Sequence, residues 1–317
     1  MKFKIIFLGS AALMAIVSYS ESVAAVSKSR DANKQQNHFQ EFISNMKSGG
    51  NIKVEPSYVH SPRGNSERYS YPMSVDVFVN STIKTALGPL KGSVALQSGS
   101  PNLAIGEAFV SLHDIKVGYY TPWGLKDSPL VNGASQMNSI SFQHAFGRAA
   151  IGVSADQFSG KGDNKEYGIG YKISPIIGNI RPVVTGGYEI SSRNMVVRAT
   201  HATRFRGIAY DFGAIWSSGR NHYYDKSKYS IVASGTKIIS DKVILVLNGQ
   251  YLQNLKSKTD TYDDSHSFGI AVGGTLAYKL AKNIQASITV QHQHNYFPKK
   301  TDVQHNTQVV IGLKHSF

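Results

Sequence analysis

The chain has 317 residues, no cysteine and a formal net charge of +14. Without cysteine it builds neither a disulfide framework nor a thiolate metal site, and its length suffices for one large domain. A basic balance of this size fits nucleic acid, an anionic membrane or anionic solutes.

The N-terminus selects among these. Lys2 and Lys4 precede an apolar stretch from Ile5 to Val17, broken only by Gly9 and Ser10. Small residues follow, ending in Ser22-Val23-Ala24. Residues 1–24 therefore read as a secretory signal peptide cleaved after Ala24 or Ala25. A secreted chain is not expected to bind nucleic acid. Residues 25–49 form a polar leader. Phe39, Phe42, Ile43 and Met46 have helical spacing there and would suit one short amphipathic helix, or the leader is disordered.

Residues 50–317 read as strands of period two separated by turn residues. Met73, Val75, Val77, Val79, Ile83 and Leu87 share one face, opposite Ser74, Asp76, Asn80, Thr82 and Lys84. Tyr167, Ile169, Tyr171 and Ile173 alternate with Gly168, Gly170 and Lys172. Phe268, Ile270, Val272, Leu276 and Tyr278 alternate with glycine, alanine and threonine, and Ile284, Ala286, Ile288 and Val290 alternate with glutamine, serine and threonine. One face is fit for lipid and the other for water. After the signal, the longest unbroken aliphatic run is Val243 to Leu247, far short of the roughly 20 residues a spanning helix needs. Tilted strands of about 9–11 residues cross a bilayer instead.

Connections alternate short and long. Gly88-Pro89, His113-Asp114, Gly147-Arg148, Ser240-Asp241 and Ala281 to Asn283 are short; His60 to Ser70, Thr121 to Gln136, Gln157 to Lys165, Ser217 to Lys228, Asn254 to Ser265 and Pro298 to Val303 are long and polar. Short inner turns and longer outer loops are the habit of outer-membrane barrels. Counting strands between them predicts an all-β, transmembrane antiparallel barrel of about sixteen strands, wide enough for an aqueous channel. Residues 191–206 contain no clear turn and leave the count weakest there. Tyr119, Tyr120, Trp123, Trp216, Tyr223, Tyr224, Tyr296 and Phe297 crowd the strand ends, where an interfacial girdle would place them. The final strand carries Val309, Ile311, Leu313, His315 and Phe317 on one face. Alternation running to a C-terminal Phe317 resembles the assembly signal of bacterial outer-membrane proteins, which implies the barrel-assembly machinery as a partner.

Two stretches are similar to the alphaproteobacterial general porin family. Gly106-Glu107-Ala108-Phe109-Val110-Ser111-Leu112, a two-residue turn and Ile115-Lys116-Val117-Gly118-Tyr119 resemble the strand pair that leads into that family's long inward loop. The terminal strand ending in Phe317 is the second. Here the segment Thr121 to Gln136 follows at the corresponding place and counts as the third outer loop. The chain departs from the family in lacking a cysteine-containing N-terminal segment and a dense acidic cluster in that loop. The resemblance implies a homotrimer of barrels in the Gram-negative outer membrane, in contact with its lipid, each with an inward-folded third loop and its own pore.

An inward third loop would place Asp127, its only carboxylate, beside Lys126 at the constriction. The alternation sends Lys84, Lys91, Lys116, Arg148, Lys172, Lys279 and Lys314 toward the bore, with Asp76, Asp156 and Glu166. An excess of one sign in a ring selects the opposite ion. The expected function is passive diffusion of small hydrophilic solutes with a modest anion preference. The alternative is a structural or adhesive barrel with a closed lumen. No cofactor is expected. His292 and His294 have the spacing of a metal pair with His305 one strand away, yet interfacial polar residues fit them better. Asn80-Ser81-Thr82 falls inside a strand, and Gly160 to Lys165 lacks the lysine spacing of a phosphate loop. No G-x-S-x-G motif accompanies His113-Asp114 or His222, so no enzyme is expected.

Overall fold

The computed structural model describes residues 44–61, 66–99, 102–122, 136–159, 165–177, 180, 182–256, 262, 266–298 and 302–317. The expected signal peptide, the helical spacing at Phe39 to Ile43 and the expected third-loop residues Lys126 and Asp127 lie outside them. No helix among the described residues is long and apolar enough to cross a membrane.

The strands are β1 (Lys47–Val54), β2 (Ser57–Ser61), β3 (Ser66–Ser70), β4 (Met73–Thr85), β5 (Gly88–Gly99), β6 (Asn102–Leu112), β7 (Ile115–Tyr120), β8 (Met137–Phe146) and β9 (Ala149–Ser159). They continue with β10 (Lys165–Ser174), β11 (Val183–Glu189), β12 (Asn194–Phe205), β13 (Ile208–Ser217), β14 (Ser227–Ser240), β15 (Val243–Leu255), β16 (Phe268–Ala281), β17 (Ile284–Phe297) and β18 (Asp302–Ser316). From β4 to β18 each strand pairs antiparallel with the next, β2 pairs with β18 and β3, and β1 pairs with both β4 and β18.

Two prolines explain why eighteen strands make sixteen staves. Proline offers no N–H to a ladder. Pro56 divides the first stave into β1 and β2, and Pro72 divides its neighbour into β3 and β4. The staves stay paired across the break, because the Glu55 N–H donates to the Pro72 carbonyl at 3.0 Å and the Ile311 N–H to the Pro56 carbonyl at 3.0 Å. The cylinder closes where Asn51 faces Asp76 on one side and Ser316 on the other. Gly50 and Phe317 exchange two backbone hydrogen bonds of 3.0 Å beside that seam.

Closure gives every stave one face toward the axis and one away from it, and the register carries the facing around the ring. Phe142 faces Val153, which faces Tyr171; Ile140 faces Ala155, which faces Ile169. This set is apolar and, half-buried Tyr171 apart, exposed, with Ile140 at 59%. The neighbours on the other face are Ser139, Ser141, Ser154 and Asp156, all buried. The apolar side is outside. So long an exposed apolar band needs a cover, and lipid provides it.

The stretch without a clear turn resolves into two. Ser191, Ser192 and Arg193 form a short outer connection in which Arg193 takes φ +56°. Arg206 and Gly207 then make a two-residue hairpin with φ +48° and +77°, the positive pair that matches strand twist. Arginine in the left-handed region carries no sequence warning of a turn.

Candidate functional site: the bore and its inward loop

Residues 218–226 join β13 to β14 at the loop end of the barrel. The Asn221 side chain organises them. Its Oδ1 accepts the N–H groups of Tyr223 and Tyr224, each at 3.0 Å, and its Nδ2 donates to Ser217 Oγ at 3.0 Å. Such side-chain-to-backbone bonds fix a turn locally. This turn carries two tyrosines into the barrel.

Tyr223 is 2% exposed. Its ring meets Phe158 edge-on, with centroids 5.1 Å apart. It lies against Gly168 and Gly187, which face inward by register. A Cβ on Gly187 would come within 2.4 Å of the ring, and one on Gly168 within 2.7 Å of the hydroxyl. The phenol donates to Asp156 Oδ2 at 2.6 Å, and the Ser154 hydroxyl donates to the same oxygen at 2.9 Å. A buried carboxylate is costly unless such bonds compensate it. The Arg198 guanidinium, 1% exposed, donates to the Tyr223 carbonyl. Tyr224 joins Met137, Phe158, Val196, Ile215 and Val232 in an apolar cluster built from inward-facing side chains. The loop thus packs on the wall and narrows that side of the bore.

Burial, then the Asp156 charge and the hydrogen bond to it, hold the Tyr223 phenol far above its ordinary range. Burial also raises Tyr224 and pushes Tyr262 up to about 12. It lowers the Lys226 ammonium, against the opposing pull of Asp225.

Beside Tyr223, the His222 ring stacks on Phe158 with centroids 4.6 Å apart and planes 13° apart. Its Nδ1 lies 2.9 Å from Glu189 Oε2 and 3.4 Å from Glu166 Oε2.

The register places Lys84, Lys91, Lys116 and Lys172 on the inner face, near the short turns. Lys116 Nζ rests 3.5 Å from the Phe109 ring centroid and 3.8 Å from that of Tyr120. Lys172 Nζ donates to Gln143 Oε1 at 3.2 Å. Arg148 sits in the turn between β8 and β9, at the rim and not on a strand face, because the two-residue hairpin ends the alternation one step earlier. Lys279 and Lys314 line a recess at the same end with Lys242, Lys282 and Asp241. Asp156 and Glu166 also face inward, at the loop end.

Three of the expected girdle aromatics belong elsewhere. Tyr223 and Tyr224 are inside the barrel, and Tyr120, 1% exposed, also faces inward. Loop position alone does not separate an aromatic that anchors in lipid from one that folds over the rim. The available signal is the glycine pair at 168 and 187, small residues reserved on the inner face for a ring. His292, His294 and His305 lie on the outer face, with His294 Nδ1 3.2 Å from His305 Nδ1.

A closed sixteen-stave antiparallel cylinder with an apolar exterior and a polar, charge-lined bore defines a porin-type channel of a bacterial outer membrane. The family described as Porin subfamily matches residues 97–315, and the chain belongs to it. Outer membrane protein IIIA of Rhizobium leguminosarum bv. viciae is 20% identical over 277 residues, spanning 78% of this chain and 74% of that protein. Among solved structures, the anion-selective porin from Comamonas acidovorans superposes with a TM-score of 0.63 at 13% identity, covering 86% of this chain and 99% of that one. The trimer form of OmpT, an outer membrane protein of Vibrio cholerae, gives a TM-score of 0.60 at 12% identity, covering 86% and 99%. The family is non-enzymatic, and this chain is an outer-membrane porin channel.

Proposed function

We propose that the channel passes small hydrophilic solutes by passive diffusion, favours anions modestly and works as a homotrimer. The observation that carries the anion reading is the placement of Lys84, Lys91, Lys116 and Lys172 on the inner wall near the turn end. Lys242, Lys279, Lys282 and Lys314 extend the basic surface at that mouth. Fixed positive charge in a narrow aqueous bore raises the local anion concentration. Arg148 adds to the rim field, which salt screens beyond about 10 Å. The anion-selective character of the Comamonas acidovorans porin and the trimer form of the Vibrio cholerae protein support the reading. Lys126 and Asp127 on an inward third loop would complete the constriction. Phe317, paired with Gly50 at the barrel seam, serves as the assembly signal.

The test is the zero-current potential of the purified protein in a planar bilayer under a salt gradient. An anion-signed potential that falls in a Lys84→Glu, Lys91→Glu, Lys116→Glu variant supports the proposal. A cation-signed potential in the wild type overturns it. Insertion without steady current would instead identify a sealed barrel of adhesive or structural role.

A further inference from the structure

We propose that Glu166, Glu189 and His222 form a site for one divalent transition-metal ion, at the joint between the inner wall and the inward loop. The donor atoms come from the start of β10, the end of β11 and residues 218–226, and all lie within 4.8 Å of one another. Two ligands bound at about 2.0–2.2 Å to one tetrahedral or octahedral ion stand about 2.8–3.6 Å apart. The 2.9 Å and 3.4 Å separations of His222 Nδ1 from the two carboxylates fall in that range. The Glu166 side chain, 28% exposed, rotates to close the remaining edge. The ion takes the place of the proton between Nδ1 and Glu189, and the ring proton moves to Nε2.

Glu189 and His222 are held before any ion arrives. The Ser191 hydroxyl donates to Glu189 Oε1 at 3.0 Å, and the His222 N–H donates to Oε2 at 2.8 Å. Phe158 fixes the plane of the imidazole. Outer hydrogen bonds of this kind orient ligands and raise affinity. One imidazole with two carboxylates suits Zn²⁺ and its first-row neighbours, whereas Ca²⁺ requires six or more oxygens. Two adjacent carboxylates meeting a single imidazole also leave negative charge that a dication neutralises. Bound metal would tie β10, β11 and the loop together.

The experiment is Zn²⁺ titration of the detergent-purified chain near neutral pH by calorimetry, with heat-modifiable mobility as the check on folding. The expected result is a saturable site whose affinity drops about tenfold or more in Glu166→Gln and in His222→Gln. His294→Asn, on the outer histidine cluster, should bind as the wild type does. Absence of saturable binding overturns the proposal, as does unchanged affinity in either site variant or loss of the site in His294→Asn. Binding is read without current, so this outcome is independent of the channel's selectivity.

Discussion

The Tyr223 phenol donates to the Asp156 carboxylate across 2.6 Å, joining the loop after β13 to the inner wall of β9. Both groups are 2% exposed. Neither has a reason to be buried without the other: the phenol gives the carboxylate a donor, and the carboxylate gives the loop an anchor.

Removing the donor should loosen that anchor. Tyr223→Phe loses a hydrogen bond to a charged group, a cost of about 1.5–3 kcal/mol. Thermal unfolding in detergent should show the loss. Tyr223→Ala should in addition widen the bore, read as a rise in single-channel conductance. Unchanged conductance would mean that the loop does not narrow the current path.

Gly187 tests the same contact from the wall. A side chain there meets the Tyr223 ring at 2.4 Å. Gly187→Val should destabilise the barrel by about 1–3 kcal/mol through overpacking. In a Tyr223→Ala background the clash disappears, so the two effects should couple by roughly 0.5–3 kcal/mol. Additive effects would place the strain elsewhere.

The loop tyrosines define an alkaline limit. Tyr223, Tyr224 and Tyr262 have phenols raised above the ordinary value of 10.0. A raised folded-state pKa favours the neutral form on folding. The resulting stabilisation is complete below the unfolded value and is lost as pH rises from 10 through the folded value, about 12 for Tyr262. Absorbance titration at the phenolate band should show a late-ionising fraction among the 17 tyrosines. Tyr262→Phe should shrink that fraction.

Phe317 should matter more for assembly than for the finished barrel. Its ring is 59% exposed on the outer face, and its backbone bonds to Gly50 do not depend on the ring. Phe317→Ala should lower the yield of heat-modifiable protein in the outer-membrane fraction while the assembled portion conducts normally. A normal yield would remove the ring from the assembly signal.

The sequence by itself determined the barrel. Period-two alternation, the short and long connections and the terminal strand to Phe317 are local properties, and they specify which faces meet lipid because a strand offers only two. The same alternation assigns Lys84, Lys91, Lys116 and Lys172 to the polar face, which is the face proposed to line the bore. Pro56 and Pro72 would have counted as strand ends in a literal reading, yet neighbouring staves bridge both breaks. Only the tertiary structure brought Asp156, Glu189 and Tyr223 together, from strands and a loop far apart in the chain. That meeting depends on cylinder closure, which sets what stands opposite a loop across the bore, and on a turn at Asn221 whose direction no periodicity encodes.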